Sequence, residues 1–202
     1  MKLKTLASVA KEDRTLTILD EIDNEGLVTR QYVMLPERAI FPLDGLPIMK
    51  EEQLLTMMDV PREKHDEWTV ARHNITSELQ QVVDDAKLTD REAKLGWTGI
   101  AMNGVAVRPV FGGEKVRFVE SDLLKVVADE RGVELKERRT EYGTVYVMLV
   151  GMCNIGCLIP TVAHWSEKCA SELAEVGEEA RRVWERMQEE AEADGSGEGT
   201  GR

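Results

Sequence analysis

Aromatic residues make up only 5% of the 202-residue chain, too few for the stacked rings that hold single-stranded nucleic acid. Positive charge is in deficit as well, with 26 Lys+Arg against 38 Asp+Glu and a formal charge of −12. Coating a phosphate backbone needs the opposite balance, so general DNA binding is disfavoured. The three cysteines are an odd number and read as thiols rather than as a disulfide framework. No apolar run of signal-peptide length precedes Lys11, Glu12, Asp13 and Arg14, so a cytoplasmic protein is expected. Phosphate-binding loops, dinucleotide glycine fingerprints, nucleophile elbows and kinase motifs are all missing. The expectation is a non-enzyme with no cofactor.

What is present suits a folded chain. The 42% hydrophobic content is ordinary for a globular protein, and the length suffices to bury a core without metal or disulfides. The acidic excess is unevenly spread. Residues 1–60 carry 11 acidic and 7 basic side chains, residues 161–202 carry 11 and 5, and residues 101–160 are balanced at 8 and 8. Between Tyr142 and Ser166 there is no Asp, Glu, Lys or Arg, nearly enough apolar chain to cross a bilayer. Gly151, Asn154, Gly156 and Pro160 interrupt that run, and the β-branched, aromatic stretch Thr144–Val150 favours a buried strand over a membrane span.

The pattern predicts an α+β fold of two β-turn-β-helix units, with a long amphipathic helix between them and a C-terminal amphipathic helix. Four segments are expected: 1–96 as an N-terminal α+β unit, 97–160 as a second β-rich unit, 161–192 as the helix and 193–202 as a flexible tail. Thr15–Ile22 and Leu27–Leu35 read as a hairpin across Asp23-Asn24-Glu25-Gly26. A short helix is expected over Lys50–Asp59. Trp68, Ala71, Ile75, Leu79, Val82 and Ala86 recur every three or four residues and predict the long helix. Thr89-Asp90-Arg91-Glu92 resembles a capping box and predicts a turn of helix ended by Gly96. A second hairpin, Gly104–Val110 with Lys115–Val119, leads to a helix from Ser121 to about Asp129, and Tyr142–Val150 returns as a strand.

The unit around Pro42–Leu55, followed by Pro61-Arg62-Glu63-Lys64-His65, resembles the N-terminal module of phage antirepressor and phage regulatory proteins over Phe41–Ile75. That resemblance implies a mobile-element origin and, as an alternative function, a DNA-binding regulator using Arg62, Lys64, Arg138 and Arg139. Arg138 and Arg139 belong to the basic cluster Lys136–Thr140, expected as a charged loop.

Val162, Trp165, Cys169, Leu173, Val176, Ala180, Val183 and Met187 form an a/d seam. Such a seam serves docking on the helix's own domain, a partner, or a homodimer. The spacing Cys153, Cys157, His164, Cys169 gathers soft ligands suited to tetrahedral zinc, although an apolar setting favours buried thiols. The leading expectation is an acidic interaction protein of phage type. It would inhibit or modulate a host nucleic-acid-binding complex by occupying its surface, as anti-CRISPR or DNA-mimic proteins do, through Glu172, Glu175, Glu179, Trp184 and Glu185.

Overall fold

A computed structural model describes residues 3–84, 90–96, 100–102, 104–112, 116–127, 132–151, 154–160 and 167–195. The fold is mixed α+β, built on one large sheet of eleven strands. The first hairpin forms as its alternation predicts, with β1 (Thr15–Ile22) antiparallel to β2 (Val28–Leu35). Gly26, at φ +82°, supplies the left-handed residue of the turn. Leading into the hairpin is α1 (Leu3–Val9), and following it are β3 (Ala39–Pro42) and α2 (Glu51–Met57). At the start of α2, Lys50 donates its backbone N–H to Gln53 Oε1 at 2.8 Å, satisfying one of the helix's orphan donors.

The segment 61–86 departs from expectation. Among its described residues there is no long helix: Arg62–Glu67 is a 3-10 turn, Thr69–Asn74 is strand β4, and Ser77–Val83 is helix α3. The β-branched pair Thr69-Val70 suits β4, which pairs in parallel with β1 from Thr15↔Thr69 to Asp20↔Asn74. A helix would have put the periodic apolar residues on one face. Instead Trp68 and Val70 pack into one core cluster, while Ile75, Leu79 and Val82 pack into another on the opposite side of the sheet. The three-four spacing marks a chain crossing from face to face. Ala86 and Thr89 lie outside the described residues. Downstream, the expected turn of helix is strand β5 (Arg91–Leu95), in which Ala93 alone is buried.

The second hairpin forms as expected from β7 (Val105–Phe111) and β8 (Arg117–Glu120), with β6 (Ile100–Met102) on the other side of β7. After β8 comes the short α4 (Ser121–Leu124), with Glu120 rather than Ser121 at the N-cap position, its carboxylate paired with Arg38, and a 3-10 turn over Lys125–Val127. The Lys136–Thr140 cluster is no loop. It lies mostly in β9 (Glu134–Arg139), antiparallel to β10 (Val145–Val150). The charge-free run continues as β11 (Asn154–Leu158), antiparallel to β10. Among the described residues no helix is long and apolar enough to cross a membrane. The C-terminal helix α5 spans Glu167–Gly195 and reaches into the predicted tail, while residues 161–166 of the expected helix lie outside the described residues.

The strand order β4-β1-β2-β3-β11-β10-β9-β5-β7-β6, with β8 beside β7, interleaves early and late segments. One face of the sheet carries Leu16, Ile18, Val33, Leu35, Phe41, Val147, Leu149 and Leu158, packed with Leu6, Leu54, Met58, Leu123 and Val126. The other carries Leu19, Tyr32, Ile40, Tyr146, Met148 and Cys157 beneath α3. All six residues of β10 are buried, alternately toward the two cores. That two-sided burial is why Val145–Val150 reads as an unbroken apolar run.

Candidate interaction surface

The helix α5 rests on the far end of the sheet by a narrow contact. Gly177 and Ala180 are buried, and a Cβ added at Gly177 would meet Val116 Cβ at 3.4 Å and Phe118 at 3.9 Å. Glycine therefore lets the helix approach Val116 and the small cluster of Met102, Val107 and Phe118. Two turns later Trp184 stacks on Phe111 of β7, ring centroids 5.3 Å apart and planes within 10°, an arrangement worth about 1 kcal/mol beyond its area.

At 100° per residue, Val176, Val183 and Met187 lie roughly a quarter turn away from the Gly177–Trp184 line. The a/d seam is thus not the line that faces the sheet. Ala180 is shared between the two, while Val176 and Met187 stay 48% and 52% exposed. Glu175, Glu178, Glu179, Glu185, Glu189 and Glu190 are exposed. Arg182 pairs with Glu179 one turn back, at 3.4 Å.

Between α5 and the junction of β5 with β7 lies an open cleft of about 320 Å³, lined by Glu92, Lys94, Phe111, Gly112, Arg181, Trp184 and Glu185. Two glycines shape the junction. A Cβ on Gly96 would come within 2.6 Å of Phe111 and 2.7 Å of Pro109, and one on Gly112 within 2.7 Å of Ala93 Cβ. Gly96, expected to end a helix, lets β5 cross close to β7.

Of the residues singled out from sequence, Glu175, Glu179 and Glu185 are exposed on α5 and Trp184 is half-buried against Phe111; the side chain of Glu172 lies outside the described residues. The four basic residues of the DNA-binding alternative do not form one patch. Arg62 and Lys64 are exposed on the 3-10 turn before β4, and β9 is six strands from β4, about 29 Å along the sheet. Arg139 is exposed, but the side chain of Arg138 is 2% exposed and paired with Asp90 at 2.6 Å. Its guanidinium also donates to the carbonyls of Val82 at 2.9 Å and Asp84 at 2.7 Å, capping the C-terminal end of α3. Arg138 is a core residue that ties α3, β9 and Asp90 together. No local signal in the sequence separates Arg138 from its charged neighbours Lys136, Glu137 and Arg139.

Cys153 and His164 lie outside the described residues, as does the side chain of Cys169. Cys157 is fully buried against Ile40 and Tyr146, and burial pushes its thiol up to about 12. Burial likewise raises the Tyr146 phenol. Among the described residues no three His, Cys, Asp or Glu side chains are grouped to hold a metal.

A second polar network was also hidden in the sequence. Asp20 on β1 accepts from Gln31 Nε2 at 2.8 Å and from both Arg72 Nε and Nη2, and Gln31 binds the Met49 backbone through N–H and carbonyl alike. These contacts satisfy buried polar groups and anchor the loop into α2.

The chain matches no protein-family model, no curated protein and no solved structure.

Proposed function

We propose that the protein is a non-enzymatic interaction protein that acts by occupying the surface of a basic, nucleic-acid-binding complex through the outer face of α5. The observation that supports this reading is the division of that helix. Its body-facing side is narrow and built from Gly177, Ala180 and Trp184, while its outward side carries the five exposed glutamates Glu175, Glu178, Glu179, Glu189 and Glu190 beside the exposed Val176 and Met187. Acidic side chains around apolar anchors are the complement of a basic groove with an apolar floor, and the charges steer the encounter while the apolar stripe supplies the short-range contact. The mobile-element character suggested by the resemblance at Phe41–Ile75 fits an inhibitor of a host complex.

The test is capture of a nucleic-acid-binding complex on the immobilised chain at rising salt, beside a variant with Glu175, Glu178, Glu179 and Glu190 changed to Gln. Retention by the native chain, competition by duplex DNA and loss in the variant are the expected results. Binding that survives both neutralisation and DNA competition overturns the reading.

A further inference from the structure

We propose that the cleft between α5 and the β5–β7 junction is a binding site for a small zwitterion bearing a planar apolar group, of which a free aromatic amino acid is the simplest. Three observations converge on that chemistry. The cleft, at about 320 Å³, lies at the small end of ligand-site volumes. Its wall includes the stacked Phe111–Trp184 pair, and a flat apolar group packs favourably along such rings. Its rim is of mixed sign. Glu92 and Lys94 stand two apart on the exposed side of β5, either side of the buried Ala93, about 7 Å between their Cα atoms. Glu185 faces in from the helix.

Arg181 also lines the cleft and has a partner, whereas among the described residues Glu92, Lys94 and Glu185 make no ion pair with one another or with any other group. The opposite charges of the rim have not cancelled across the cleft. An ammonium and a carboxylate carried on one carbon can span them, the ammonium donating to Glu92 and the carboxylate accepting from Lys94. A ligand with only one charge would leave part of the rim unanswered.

This inference uses the inner flank of α5 and does not rest on the acidic outer face. The experiment is a titration of the full chain with L-phenylalanine, phenethylamine and 3-phenylpropionate. It follows the indole N–H resonance of Trp184, identified by its loss in Trp184→Phe. The expected result is a saturable shift with L-phenylalanine at a Kd on the order of 1 mM. Binding should weaken at least about tenfold for each singly charged analogue and in Glu92→Gln and Lys94→Gln, since each loses one charge-assisted contact. Those two positions are exposed, and the rest of the spectrum verifies their folding. No shift up to about 20 mM L-phenylalanine, a range generous for so small a ligand, overturns the site. So do equal shifts from all three compounds, which would mean apolar contact alone, or full binding by both variants.

Discussion

The two ends of the sheet are held by different means. From β1 to β10 the strands are covered on both faces, by α1, α2 and α4 on one side and α3 on the other. Around β6, β7 and β8 the outer face has only the cluster of Met102, Val107 and Phe118, with α5 laid over it through a glycine, an alanine and one aromatic stack. Stability resides in the first region, and the adaptable surface in the second. Elements with few buried contacts open at lower free energy and are where binding surfaces are found.

That contrast can be broken first at Asp90. Asp90→Ala strands the buried Arg138 guanidinium without its counter-charge and should cost about 3–5 kcal/mol in chemical denaturation, through the loss of the α3 end and β9 together. Gly156→Ala comes next. Its Cβ would sit 2.6 Å from Phe41 Cδ1 and 2.9 Å from the Ile40 carbonyl, at the join of β11 with β3, and about 3 kcal/mol of destabilisation is expected. Trp184→Ala should cost about 2 kcal/mol, the stacking contribution together with the half-buried area of the ring. Hydrogen exchange should accelerate in α5 while the amides of β10 keep their protection. Equal acceleration in β10 would mean that the two regions unfold as one. Smallest is Gly177→Ala, where the helix-propensity gain of about 0.5–1 kcal/mol opposes a tight but tolerable contact with Val116. Thermal unfolding should move by no more than a degree or two in either direction.

The first hairpin, α2, the β7–β8 hairpin and the strand β10 were legible because each carries its own period and its own turn residues. The segment Trp68–Val83 was not, because a strand facing one core followed by a helix facing another leaves apolar residues at the same spacing as one helix. Nothing local separates the two, and only the parallel pairing of β4 with β1 decides. Arg138 misled for a related reason. Beside Arg139, Lys136 and Glu137 it reads as a solvated charge, and its burial depends on Asp90 and the carbonyls of α3, 48 to 56 positions away. In the candidate surface the acid-rich helix could be read directly. The rotation of its seam away from the sheet could not, since that is set by the small residues Gly177 and Ala180, which carry no hydrophobic signal of their own.

The pairing of β3 with β11, Ile40 with Cys157 and Ala39 with Leu158, also sets a timetable for synthesis. When β3 leaves the ribosome, the strand that will cover its open edge lies more than a hundred residues from being translated. Contacts of such long range fold slowly. Until β11 arrives, the first hairpin and β3 form a half-sheet with an apolar, unpaired border, the kind of intermediate that pairs with other chains. A chain arrested before residue 154 should therefore accumulate as aggregate rather than as a smaller folded protein, and the assembly of the sheet is a post-translational event.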